Sequence, residues 1–141
     1  MQRVMWIGSL NPTEYLILLA VGDLMLDPYP FGGGVTILES ISVCTPVITS
    51  PSLQTVPGLA AGMLQSMNLA KLDLIIASDQ DDYVDKATLL LGAKEQDVDK
   101  ELNRLRRKMC ENGHLLFNNT KSIDEWGRFL KNTALLQVQN T

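Results

Sequence analysis

The sequence predicts an α/β fold: a parallel sheet of about four strands with helices on both faces and further helices at the C-terminal end. Three observations carry this reading. Short, almost wholly apolar runs alternate with helical segments, the pattern of strands buried on both faces. Each connection between runs is long enough to hold a helix, so successive strands run parallel through right-handed crossovers. With 141 residues, 45% apolar and 20% charged, the chain has the composition of one folded domain with a real core.

The elements follow in order. Arg3–Ile7 (RVMWI) is an apolar, β-rich run ended by Gly8 and is expected as the first strand. Asn11-Pro12-Thr13-Glu14 is a helix start: Asn11 suits the N-cap, Pro12 the first helical position, and Glu14 the capping-box carboxylate. That helix runs to about Val21 and stops at Gly22. Leu24–Leu26, bracketed by Asp23 and Asp27, is too short for a helix and reads as a buried strand. Pro28-Tyr29-Pro30-Phe31-Gly32-Gly33-Gly34 is a loop by composition. VTILESISV (Val35–Val43) is the next helix, ended by Thr45-Pro46, and Val47–Thr49 resumes as a β-branched strand. Pro57 opens a helix rich in Ala and Met that ends near Asn68, and its Met63 and Met67, four apart, belong to the core. Leu74–Ala77 is the fourth strand. Ser78 caps a helix through about Leu91, Glu95–Cys110 forms a charged one, and the capping box Ser122-Ile123-Asp124-Glu125 opens the last, to about Gln137. There is no internal repeat. The expected organisation is one domain over 1–141, with the sheet and binding loop in 1–92 and C-terminal helices in 93–141.

Charge narrows the function. A net charge of −4 argues against nucleic acid or an anionic membrane as partner. The longest apolar run, Tyr15–Val21, is far short of the ~20 residues of a membrane span, and the first residues lack a secretory apolar core. Only Arg3, Glu14, Asp23, Asp27 and Glu39 are charged in the first 70 residues, against 23 charges in the rest. So bare a half is either deep core or covered by something outside it, a second copy or another domain. Cys44 and Cys110 show no metal spacing and read as reduced thiols of a cytoplasmic protein. Asn118-Asn119-Thr120 matches a glycosylation sequon by accident of spacing. His114 has no Ser, Cys or carboxylate partner placed by sequence and reads as a surface or packing residue rather than a catalytic one. Lys100, Arg104, Arg106, Arg107 and Lys108 complement a helix dipole on a solvated face, and Asp79, Asp81, Asp82 and Asp85 sit at a helix start without calcium-loop spacing. No metal site and no catalytic residue is assigned.

The chemistry concentrates after the second strand, where open α/β sheets bind their ligands. Gly32, Gly33 and Gly34 let backbone approach a ligand, and the helix from Val35 adds free amides and a positive dipole end, an anion site to which Thr36 brings a hydroxyl. The spacing is neither GxGxxG nor GxxxxGK[ST]. Glu39, one turn on, is placed to accept from ribose hydroxyls. The plain alternative is a Gly-rich turn beside a solvated glutamate.

LDPYPFGGGVTILESISVCTPVITSPS resembles the C-terminal half of the nucleotide-sugar site of the O-linked N-acetylglucosamine transferase and SPINDLY-type glycosyltransferases. RVMWIG, NPTEYL, GDLMLDPYPF, GGGVTILE, TPVIT and LDLIIASDQDDYVDKA fall in the family's order and cover most of the chain. These are GT-B enzymes with two facing Rossmann-like domains, so the resemblance implies a partial, Rossmann-like C-terminal domain. By position, Gly33, Gly34 and Val35 match the backbone that cradles the diphosphate, with Thr36 as a side-chain contact. Glu39 matches the acidic residue at the ribose, Leu10 and Asn11 the backbone at the base, and Tyr15 lies beside the nucleotide. Val35 stands where members often have Asn or Thr, Gly34 where animal members have histidine, Cys44 where glycine usually precedes TPVIT, and Leu18 where animal members have a base-stacking arginine. The implied reaction is transfer of N-acetylglucosamine from UDP-GlcNAc to Ser/Thr of a protein acceptor, without a cofactor, in the cytoplasm (nucleus and cytoplasm in a eukaryote). The family's phosphate-clamping lysine and base candidates lie upstream of the matched region. No basic residue lies between Arg3 and Lys71 to neutralise a departing diphosphate, so the chain alone is expected to be inactive. The alternative function is a non-catalytic binding or scaffold module derived from such a transferase.

Overall fold

The structure, a computed structural model, describes residues 4–50, 58–69, 72–92, 96–117 and 120–139. Its first element is nucleated as expected. Helix α1 (Pro12–Val21) has Asn11 as N-cap, whose side chain accepts from the Glu14 amide at 3.0 Å while its own amide donates to the Glu14 carboxylate at 2.9 Å. Two orphan amides are thereby satisfied, and Pro12 has none to satisfy. Strand β1 (Met25–Leu26) leads through the Gly-rich loop to α2 (Val35–Ser42), and β2 (Val47–Ile48) follows. Helix α3 (Leu59–Ser66) and a 3-10 turn at Leu72–Leu74 precede α4 (Gln80–Gly92), α5 (Gln96–Asn112), α6 (His114–Phe117) and α7 (Thr120–Gln139).

The fold is mixed α/β and mostly helical, and its sheet is smaller than expected. β1 and β2 pair in parallel, Met25 with Val47 and Leu26 with Ile48. Thr49 continues the ladder to Ile76 through a single parallel bridge, its amide donating to the Ile75 carbonyl and its carbonyl accepting from Ala77, both at 2.9 Å. The expected strand Leu74–Ala77 is thus present only as this bridge, because Leu74 belongs to the preceding 3-10 turn. The expected first strand does not form. Val4–Ile7 have no regular structure, and Trp6 is 92% exposed. A run apolar on both faces needs cover on both, and the described residues provide it on neither. Arg3 and Pro57 lie outside the described residues.

The core lies between the sheet and the helices that cross it. Ile37 and Ile41, one turn apart on α2, meet Val47 of β2, Leu64 and Met67 from the α3 region, Ile75, and Leu105 and Met109 of α5, all buried. Met63 packs against this cluster, so both methionines singled out in the sequence serve the core. Each fully buried large aliphatic side chain contributes roughly 1.5–3 kcal/mol.

Two helix starts differ from the sequence reading. α4 is capped by Asp79, whose carboxylate accepts from the Asp82 amide at 2.8 Å, and Ser78 instead donates its own amide to Asp82 at 2.6 Å. α7 begins at Thr120, which places Ser122 inside the helix. Every side chain of α7 through Leu135 is exposed, including Ile123, Phe129, Leu130 and Trp126, the last meeting Phe129 edge-on at 5.8 Å.

Helix α5 gathers the C-terminal ends of three other helices. The Arg106 guanidinium donates to the carbonyls of Ala20 (3.2 Å) and Gly22 at the end of α1. The Asn112 side-chain amide donates to the Met67 carbonyl at the end of α3, at 2.8 Å. Cys110 is joined to Cys44, just beyond the end of α2, by a disulfide across a sequence separation of 66. This corrects the reading of two reduced thiols, and with it the argument from free thiols to a cytoplasmic protein. Cysteines so far apart in sequence give no local signal, and only the docking of α5 on α2 brings their Cα atoms to 4.9 Å. Arg106 likewise serves a helix dipole as expected, but the dipole of α1 rather than its own. Among the described residues no helix is long and apolar enough to cross a membrane.

Candidate functional site

The loop is built around Asp27, the first residue beyond β1. The residue is 4% exposed, and its carboxylate accepts from the Gly33 amide at 2.6 Å and the Thr49 hydroxyl at 2.7 Å. Its amide donates to Ile48 at 3.0 Å, and its carbonyl accepts from the Tyr83 hydroxyl of α4 at 3.0 Å. A buried carboxylate is tolerated where its lone pairs meet donors, and here they fold the loop back onto the sheet. Burial, and then the charge of Asp27, hold the Tyr83 phenol above its ordinary pKa, so it stays a donor at neutral pH.

The three glycines divide by role, and none has positive φ. A Cβ on Gly32 would come within 3.0 Å of the Asp27 carboxylate, and one on Gly33 within 2.6 Å of the Thr36 hydroxyl. Both glycines are therefore required by the protein's own packing. Gly34 is different: among the described residues, a Cβ there meets nothing nearer than Leu59, at 3.9 Å, an ordinary contact. Gly34 is the N-cap of α2, and among the described residues no side chain caps the helix.

The other expected residues take these places. Val35 is 70% exposed at the first position of α2, while Thr36 and Glu39 are half-buried. Tyr15, half-buried on α1, has its pKa raised first by burial and then by the negative charge of Glu39, so the two side chains lie within electrostatic reach across the α1–α2 contact. Leu10 is half-buried and Asn11 exposed at the head of α1, where the Asn11 side-chain oxygen accepts from the Glu14 amide, its own amide donates to Glu14, and its backbone carbonyl accepts from the Tyr15 amide at 2.9 Å. The structure thus brings Tyr15, Thr36 and Glu39 to adjoining helices beside the Gly loop, with Leu10 and Asn11 one turn before Tyr15.

Asp27 and Tyr83 are functional-site residues that the sequence pattern alone does not single out. The available signal was an aspartate closing an apolar strand directly before a Pro- and Gly-rich loop, since such a carboxylate must be partnered. His114, exposed, bonds the Glu111 carbonyl through Nδ1 at 2.8 Å, consistent with a surface residue. Among the described residues, no group of three or more His, Cys, Asp or Glu is placed to hold a metal ion. Against known proteins, the chain matches no family model and no curated protein.

Proposed function

We propose that the chain is the nucleotide-sugar-binding C-terminal part of a protein O-glycosyltransferase with UDP-GlcNAc as donor, acting together with a facing domain. One observation carries the reading: the Asp27-fixed loop leads at Gly34 into a helix start that no described side chain caps, with Glu39 and Tyr15 beside it. In this reading the first amides of α2 and its dipole hold the diphosphate, and the Glu39 carboxylate accepts from the ribose. Tyr15 flanks the nucleoside. The sugar is transferred to a Ser/Thr hydroxyl only when the facing domain supplies positive charge for the departing diphosphate.

The test is an NMR titration of labelled protein with UDP, GDP and ADP. Shifts confined to the amides of Gly32–Thr36, with one base preferred, support the reading and name the donor. Glu39→Ala should weaken binding roughly ten- to a hundredfold, since a hydrogen bond to a charged acceptor is worth about 1.5–3 kcal/mol. Thr36→Val should cost less, about 0.5–1.5 kcal/mol. Absence of shifts at millimolar UDP and GDP refutes nucleotide binding and leaves the scaffold module as the reading.

A further inference from the structure

We propose that the Cys44–Cys110 bridge is a reversible redox tether that sets how firmly the two helices of the candidate site are held. Cys44 has φ 65°, one residue beyond the C-cap of α2. There its amide donates to Ile41 and the Thr45 amide to Ser40, each at 2.9 Å. This pair of bonds closes a helix around a left-handed residue, a position that favours glycine. A cysteine in that conformation is disfavoured on backbone grounds, and what the position supplies instead is a sulfur facing α5.

The bridge lies on a face that reaches both site helices. Arg106, four residues before Cys110 and so on the same side of α5, binds the end of α1, which carries Tyr15. The Thr45 hydroxyl, adjacent to Cys44, donates to the Leu19 carbonyl of α1 at 2.6 Å. The Val43 amide, on the other side of Cys44, donates to the carbonyl of Glu39 at 3.3 Å. One covalent link therefore anchors the turn to which Glu39 is directly bonded.

The bridge is open to attack. Cys110 is exposed, and a cavity of about 220 Å³ beside the two sulfurs is bounded by Ser42, Met109, His114 and Phe117. A thiolate from a small-molecule thiol attacks the Cys110 sulfur, the S–S bond breaks, and Cys44 leaves as a thiolate and takes a proton. A second thiol then displaces Cys110 from the mixed disulfide. Two thiols are oxidised to one disulfide and the bridge is reduced to two protein thiols. The helix end keeps its backbone hydrogen bonds but loses its anchor to α5.

The effect on ligand affinity rests on the proposed nucleotide reading, whereas the tether itself does not. The experiment uses the full chain in dithiothreitol and after re-oxidation, with thiols counted by alkylation and mass, amide exchange by NMR, and UDP as the probe. Expected are zero alkylated thiols oxidised and two reduced, reversibly. On reduction, exchange at Cys44 and Thr45 should rise at least tenfold while Ile48 and Ile75 stay protected, and UDP should bind at least threefold more weakly. A Cys44→Gly/Cys110→Ser variant, whose glycine suits the backbone, should fold and bind UDP identically with and without dithiothreitol. Alkylatable thiols in the oxidised protein, unchanged exchange on reduction, or loss of protection at Ile48 and Ile75 would each overturn the proposal, the last by making the bridge a plain structural staple. Equal UDP affinity in both states overturns control of the site and leaves nucleotide binding intact. Absence of UDP binding in both states refutes the nucleotide reading, and the exchange result still decides the tether.

Discussion

Replacing Asp27 by alanine should be among the most damaging changes in the first half of the chain. The residue is buried, and its carboxylate accepts two short charge-assisted bonds, from the Gly33 amide at 2.6 Å and the Thr49 hydroxyl at 2.7 Å. Each such bond is worth about 1.5–3 kcal/mol, and its loss strands a donor. Thr49 is fully buried, and its hydroxyl retains only the weaker option of the Ser50 carbonyl at 3.3 Å. Asp27→Ala should therefore cost about 3–6 kcal/mol, a large part of the roughly 5–15 kcal/mol that holds a domain together. Asp27→Asn keeps the shape and one acceptor and should cost about half as much. Thr49→Val should fall between wild type and Asp27→Ala, since it leaves one carboxylate oxygen buried without its donor. The assay is urea unfolding followed by circular dichroism, with amide exchange at Gly33 as the local readout. A loss below about 1 kcal/mol for Asp27→Ala, or Gly33 protection unchanged, would refute the assignment of Asp27 as the residue that fixes the loop.

Other consequences are sharp enough to measure. Arg106→Met keeps the stem but drops the bonds to Ala20 and Gly22, and should raise amide exchange in the last turn of α1 at a cost of about 1–2 kcal/mol in unfolding free energy. The Tyr83 phenol is held above its ordinary pKa when folded, so its contribution is complete below the unfolded value near 10 and declines as pH rises through the folded value. Tyr83→Phe should flatten that alkaline loss, read as unfolding free energy against pH, while costing about 0.5–1.5 kcal/mol at neutral pH. Leu64→Ala, at a fully buried site, should cost about 2–5 kcal/mol by chemical denaturation.

What was legible in the sequence was what local chemistry decides. Asn11, Pro12 and Glu14 specify the start of α1 by side-chain reach alone, and the capping box is formed as read. The order of helices, the loop after β1 and the core roles of Met63 and Met67 follow from periodicity and composition. Strand identity was less legible, because a strand exists only when a neighbour pairs with it. Leu74–Ala77 has the composition of a strand yet contributes one bridge, and Val4–Ile7 none. The glycines of the loop were legible as a group but not singly: close packing against Asp27 and Thr36 accounts for Gly32 and Gly33, whereas among the described residues Gly34 meets only Leu59, at 3.9 Å. The cysteine pair was illegible for the same reason as the strands, since it depends on how α5 lies across α2.

The small size of the sheet shifts the burden of fixing the site onto α5. Between β1, β2 and the Ile76 segment, the backbone bonds outside the paired residues are those of Met25 to Pro46, Asp27 to Ile48, Thr49 to Ile75 and Ala77 to Thr49. So short a ladder orients Asp27 and the loop behind it but does not reach the far ends of α1 and α2. Those ends are held from the charged half of the chain, α1 by Arg106 (beside the Thr45 hydroxyl) and α2 by Cys110, while Asn112 does the same for α3. The C-terminal helices are therefore part of the site's construction rather than an appendage to it. Shortening the chain before α5 should loosen Tyr15 and Glu39 even though neither touches the removed residues through any bond described, because it frees the helix ends on which their positions depend.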